Sequence, residues 1–190
     1  MRPFDFVISF LAFIYALALA HLLLAAAHMI RHRRELIFDW AHGLWMVAAL
    51  GYLWGNWISL WDVHALTTFT LTAITIGFVF SIIMYLVCAL VAPRLDVEDG
   101  LNMRIFHATQ GRTYIGAFVV LFAASILINY FGGTGLNVLN WMHENLVVIA
   151  MLPVAVAAFI WRTRWVQVGA PIVLLGLLVV YMVLFYSELR

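Results

Sequence analysis

Six apolar runs, at about 4–29, 36–61, 66–92, 114–130, 138–161 and 166–186, take up most of the 190 residues. Each is close to the roughly 20 residues that a helix needs to cross a hydrocarbon core about 30 Å thick. A backbone in lipid has no water to bond, which leaves helices and closed barrels as the only spanning structures. The runs are continuous and lack the alternation of apolar and polar residues that marks barrel strands. The sequence therefore predicts an all-α polytopic membrane protein, a single domain over 1–190 with six transmembrane helices. At 66% hydrophobic and 10% charged residues, the chain lies far from the soluble globular balance of roughly 45–50% and about 25%. The connections between runs leave no room for a folded soluble domain.

The arginines give the orientation. Segments 31–35, 93–112 and 162–164 hold Arg31, Arg33, Arg34, Arg94, Arg104, Arg112, Arg162 and Arg164, while the opposite side holds Arg2 and Arg190, and the chain has no lysine. Cytoplasmic loops are enriched in basic residues, so both termini are expected on the non-cytoplasmic side of the inner (plasma) membrane. The first run ends in Ala25-Ala26-Ala27, a small-residue stretch like a signal-peptidase site. It is too long for a signal core and is followed by the arginine cluster, so it reads as a first span. The basic residues are spread over three loops, which excludes nucleic acid as a partner. Cys88 is the only cysteine and can build neither an internal disulfide nor a thiolate cage. The lipid bilayer is the expected partner. Gly77-x-x-x-Ser81 and Gly116-Ala117 read as close helix contacts, and small and aromatic faces favour a homo-oligomer or a larger membrane complex.

The third connection opens with Asp96, Glu98 and Asp99, and then places Leu101, Ile105 and Phe106 on one face of an expected interfacial helix. Its stretch Asp96-Val97-Glu98-Asp99-Gly100-Leu101-Asn102-Met103-Arg104, with Gly111 following, resembles the first part of the CDP-alcohol phosphotransferase motif, carried by a family of six-span proteins. That family needs a second pair of aspartates one turn apart to complete a metal site. Here Gly111 is followed by Arg112, Thr113, Tyr114 and Ile115, and Met103 stands where the family has alanine. The resemblance therefore implies no metal site, and the chain is not expected to be an enzyme.

Ionisable groups inside a span cost about 2.5–3.5 kcal/mol for Asp, Lys or Arg at the centre, so each invites a functional reading. The first run carries His21 and His28 seven residues apart, on one face. The second opens with Asp39 and His42 and continues along one face through Trp45, Ala49, Tyr52 and Asn56. The fifth opens with Asn140, Trp141, His143, Glu144 and Asn145 and contains Pro153. Asp39-Trp40-Ala41-His42 and Asn140-Trp141-Met142-His143 open the middle run of each half, where about 0.3 Trp-x-His matches are expected by chance from this composition. Such a duplication predicts a 3+3 inverted repeat, an architecture used by secondary transporters.

The function these groups favour is a channel or carrier for a proton, an ion or a small solute, on a path past His21, His42, Asn56, His143 and Glu144. No cofactor is expected on that reading. One alternative is a b-type haem electron carrier, with His21 or His28 paired to His42 and His64 paired to His143 as axial ligands. Another is a non-catalytic subunit or sensor of a larger complex. A metal site is open to His28, His32 and His107. In a Cys88→Ala background, single cysteines at Ala65 and Gly133 should react with an impermeant maleimide from outside intact cells, and those at Glu98 and Thr163 only after permeabilisation. The reverse pattern would overturn the orientation.

Overall fold

A computed structural model describes residues 3–61, 70–93, 102–132 and 138–187. Among them the chain forms α1 (Pro3–Arg31), α2 (Trp40–Ser59), α3 (Leu71–Val91), α4 (Met103–Gly132), α5 (Val138–Glu144), α6 (Leu146–Ile160) and α7 (Arg164–Phe185). Local chemistry explains several of the ends. Asp39 caps α2 by accepting the His42 amide at 3.2 Å, and Thr70 caps α3 by accepting the Ala73 amide at 3.2 Å, each satisfying a donor that a helix start leaves free. Asn102 does the same for α4 through Ile105, at 3.2 Å. Asp5 lies in the first turn of α1, and His28 and Arg31 lie in its last, the charge order that the helix dipole favours.

Four helical stretches are long and apolar enough to cross a membrane: Asp5–Arg31, Leu71–Val91, Met103–Phe131 and Arg164–Phe185, with mean hydropathy from 2.0 to 2.6. Phe6, Leu24, Phe131 and Leu184 are all more than 60% exposed on the outside of the bundle. Apolar surface of this extent suits lipid and not water. The other two expected crossings differ in character. In α2 the apolar run is diluted by His42, Asn56 and tryptophans, while α6 has 15 residues.

Two boundaries depart from expectation. The segment after Asn102 is not a separate interfacial helix, because α4 runs unbroken from Met103 to Gly132. Met103 is fully buried, and its amide donates to the Ile37 carbonyl at 3.0 Å, which ties the helix start to the first connection. The fifth run carries a one-residue distortion, through which the backbone bonds continue: the Asn145 amide donates to the Trp141 carbonyl at 3.0 Å and the Ile149 amide to the Asn145 carbonyl at 2.9 Å. Asn145, at φ −102° and ψ 8°, separates α5 from α6, while Pro153 sits inside α6. The Asn145 side chain donates to the Trp141 carbonyl at 2.9 Å and accepts from Asn129 at 2.7 Å, so the distortion is bonded to α4.

Neighbours in the bundle run α1 to α3, α3 to α4, α4 to α6, α6 to α7 and α7 to α2, and α2 also touches α1, α3 and α4. The second helix touches the most neighbours and buries one face, with Trp45, Ala48 and Ala49 entirely buried, while Val47, Trp54 and Trp57 on its other face are exposed. The two halves pack differently within themselves: α1 lies on α3 more than on α2, whereas α4 lies on α6 more than on α7 and packs about as closely on α3. Small residues set the α2–α7 distance. A Cβ on Gly51 would stand 3.1 Å from Leu178, and one on Gly55 would stand 3.0 Å from Leu178 and 3.1 Å from Met182. Gly51-x-x-x-Gly55 is thus a close-approach pair of the kind that packs helices in lipid. The Tyr52 hydroxyl, donating to the Leu174 carbonyl at 2.8 Å, fastens the same interface.

Gly55→Leu should lower stability by about 1–3 kcal/mol through overpacking, read as earlier thermal unfolding in detergent. Gly169→Ala, where a Cβ meets nothing within 4 Å, should be neutral or gain up to about 1 kcal/mol.

Candidate functional site

The second and fourth helices meet along a seam of aromatic side chains. Residues three, four or seven apart share a helix face, which aligns His42, Trp45 and Tyr52 on α2 with Tyr114, Phe118 and Phe122 on α4. Ring centroids step along the seam at 5.7 Å (His42–Tyr114), 6.1 Å (Tyr114–Trp45), 5.1 Å (Trp45–Phe118), 6.1 Å (Phe118–Tyr52) and 5.0 Å (Tyr52–Phe122). The pairs are tilted or edge to face, the arrangements that aromatic quadrupoles prefer. Every ring in the column is buried.

At the arginine-bearing end the seam terminates in a polar cluster. His42 is fully buried, with the Phe106 ring at 5.0 Å and the Tyr114 ring at 5.7 Å, both edge to face. His107 Nδ1 is bonded to the Tyr114 hydroxyl. Arg162, in the turn between α6 and α7, donates to the carbonyls of His107 at 3.2 Å and Ala108 at 3.1 Å. Gly111 is what admits that guanidinium, because a Cβ there would lie 3.3 Å from it. Gln167 on α7 donates to the carbonyls of Ala158 at 2.7 Å and Trp161 at 2.9 Å, closing the end of α6. The charges of Asp39 and Arg162 both bear on His107, and the Gln167 amide lies near its ring.

Several buried polar atoms in this cluster have no hydrogen-bond partner among the described residues: both ring nitrogens of His42, Trp45 Nε1, His107 Nε2 and Gln167 Oε1. Such an atom ordinarily destabilises a fold by about 1–3 kcal/mol. Their concentration at one place, supplied by three helices, marks this cluster out from the rest of the core.

The opposite half of the bundle holds a cavity of about 320 Å³, lined from α1, α2, α3, α4, α6 and α7. That is room for roughly ten waters at about 30 Å³ each. Its polar lining comes from Asn56, Ser59, Ser125 and Asn129 with Tyr15, Tyr52, Tyr181 and Tyr186, and none of the lining residues is charged. Asn56 donates to the Tyr52 carbonyl at 2.9 Å, and Ser59 to the Asn56 carbonyl at 2.8 Å. Tyr52 and Phe122 form the cavity's inner wall and also begin the aromatic column, so cavity, column and polar cluster lie in one sequence through the bundle.

The expected path residues are thus divided. Asn56 lines the cavity and His42 lies at the far end of the column. His21 does neither: it is exposed on α1 and pairs its Nε2 with the Tyr85 hydroxyl at 2.9 Å. His143 and Glu144 belong to α5, but their side chains lie outside the described part, as does that of Asn140. The histidine near His42 is His107, not His21 or His28, and His64 falls outside the described residues. His28 and His32 stack on each other at 4.0 Å. Among the described residues no three His, Cys, Asp or Glu side chains gather into a metal cage, so His28, His32 and His107 do not form one.

Tyr114, Gln167 and Arg162 were not singled out by the sequence. Their signal is weak: a tyrosine at the edge of an apolar run, a glutamine one turn into another and an arginine in a tight turn. Gln167→Leu should destabilise the protein by about 2 kcal/mol, because it strips two carbonyls at the end of α6 of a buried donor. Gln110→Leu, at an exposed position, should leave the unfolding midpoint in place. Comparison of the chain with protein-family models, curated proteins and solved structures finds no match.

Proposed function

We propose that this chain is a multi-pass carrier or channel that moves a small uncharged solute or a proton across the inner (plasma) membrane. The observation that carries the reading is the alignment of a cavity lined by six helices with an aromatic column that ends on buried imidazoles. On this reading α2 and the pair α5–α6 complete six crossings. The arginine-bearing end faces the cytoplasm, both termini lie on the other side, and the cavity faces outward. His143 and Glu144, on α5, stand at the outer end of the path.

Desolvation decides among the cargoes. An inorganic ion entering the cavity would give up its water for amides and hydroxyls, with no counter-charge among the described lining residues, a loss of several kcal/mol or more. An uncharged solute exchanges hydrogen bonds with water for bonds to Asn56, Ser125 and tyrosine hydroxyls, and its apolar surface meets Phe80 and Phe122. Protons can use the imidazoles beyond. Trp45 and Phe118 are completely buried and fill the column, so a solute passes only if α2 and α4 part there, which favours a carrier over an open pore. The two halves pack unequally, so the reading does not rest on a 3+3 inversion.

Proteoliposomes provide the test. Stopped-flow swelling with urea and glycerol, and pyranine quenching for protons, should show permeability several-fold above protein-free vesicles for at least one of the three. Ser125→Trp, which fills the cavity, should abolish it, and His21→Leu, off the cavity, should not. Background rates for urea, glycerol and protons alike would overturn the reading and leave a subunit or sensor of a larger complex in its place.

A further inference from the structure

We infer that His42 and His107 form one buried proton-binding site that latches the cytoplasmic end of the bundle, closed when both imidazoles are neutral and released when they take up protons. The inference deepens the transport reading, on which the assignment of this end to the cytoplasm rests. It begins from the polar atoms without partners, which lie on side chains from α2, α4 and α7 and surround one residue pair. A neutral imidazole has one donor and one acceptor nitrogen, whereas an imidazolium has two donors. The imidazole nitrogens among these atoms can therefore take up a proton, and Trp45 Nε1–H and Gln167 Oε1 can bond the water that brings it.

The groups facing the pair are few. From α2 come Asp39, whose carboxylate is engaged with the His42 amide, and Trp45. From α4 come Phe106 and Tyr114, and from the α6–α7 turn and α7 come Arg162 and Gln167. The nearby carboxylate and guanidinium offset each other, so each proton added is excess positive charge, enclosed by the Phe106 and Tyr114 rings at His42 and half-buried at His107. Enclosed charge of this kind is relieved by water. The elements that must separate to admit water belong to three different parts of the chain: the start of α2, the start of α4 and the α6–α7 turn. They are joined here by the Ile37–Met103 backbone bond and the two Arg162 bonds to α4.

Chemically the step is a protonation. An imidazole nitrogen lone pair accepts a proton from hydronium and leaves water. At His107 the Nδ1–H then donates to the Tyr114 oxygen, which turns its own hydrogen elsewhere. No covalent bond between heavy atoms changes. Tyr114 passes the consequence on, because its hydroxyl is held by one histidine and its ring packs on the other.

Opening can be read directly at Met103, which is fully buried beside the bonded first connection. In a Cys88→Ala background reconstituted in nanodiscs, Met103→Cys should react with a maleimide several-fold faster at pH 5 than at pH 8, after normalisation to the exposed Thr109→Cys. The double change His42→Gln with His107→Gln should remove that dependence. Histidine-labelled protein should show the His42 and His107 ring ¹⁵N signals titrating together, each shifted by substitution of the other. Should Met103→Cys fail to fold, backbone hydrogen exchange over 103–114, corrected for intrinsic rate, should show the same acid-induced opening.

Labelling and exchange independent of pH, or ring signals unmoved from pH 8 to 4.5, would overturn the latch. A haem absorption band in the purified protein would also overturn it, since iron would then hold the imidazoles. A latch that responds to acid while the vesicles stay impermeable would instead sink the transport reading and leave the proton site standing.

Discussion

The bundle depends on the burial of one face of α2 against α7, α3 and the rings of α4 in a setting with little water. A helix that turns His42, Trp45, Tyr52 and Asn56 toward its neighbours does not face lipid at those positions. It lies between α7 and α1 with its other face, at Val47, Leu50, Trp54 and Trp57, exposed, and the burial of the first face makes the remaining contacts necessary. On that side α7 can approach it only over residues without bulk, which is where Gly51 and Gly55 stand. The aromatic face in turn calls for rings across from it, and Tyr114, Phe118 and Phe122 supply them at successive turns of α4.

The two ends of that seam are built differently. At the arginine-bearing end the connections are fastened: a backbone bond joins Ile37 to Met103, Arg162 spans from the α6–α7 turn to α4, and Gln167 seals the last carbonyls of α6. Toward the other end the same helices diverge around a cavity, and the polar groups there are amides and hydroxyls with modest local bonds. From the cavity side inward the order is neutral hydrogen-bonding groups, then closely packed rings, then imidazoles. Charge is tolerated only at the final stage, where Asp39 and Arg162 lie near His107.

Much of this was legible in the sequence, for a definite reason. Lipid demands length and apolarity, so the runs stand out, and the stripe on α2 follows from the 3.6-residue period. What escaped depends on contacts between distant parts of the chain. His21 lies deep in an apolar run, but depth along a helix does not say which way a side chain faces. The buried face of α1 is Leu11, Tyr15, Ala18, Leu22 and Ala25, and His21 lies at its edge, about 80° from the centre of that face, where it is exposed and meets Tyr85. The polar composition of 104–112 suggested a connection, yet those residues extend α4 past its apolar run, and Phe106 and His107 turn inward from it. Gln167 gains its role only through carbonyls of a preceding helix, a pairing no spacing rule encodes.

Two imidazoles are also a sufficient number for a switch. Moving a two-state equilibrium from 1:99 to 99:1 takes a preference of about 10⁴-fold for the favoured state, or about 5.5 kcal/mol. If two protons act together, each need bind the open form only about 100-fold more tightly than the closed one, because the two factors multiply. A single histidine would have to supply the whole preference alone. The closed form gives grounds for such a difference, since His42 is packed between Phe106 and Tyr114 with both nitrogens lacking a partner among the described residues, and water at the opened end would supply what is missing. The linkage is reciprocal. On the proposed transport reading, a solute that opened the arginine-bearing end by pressing on Trp45 and Phe118 would raise proton affinity at His42 and His107 by the factor by which protons raise the affinity for that solute, and proton uptake would be coupled to its passage.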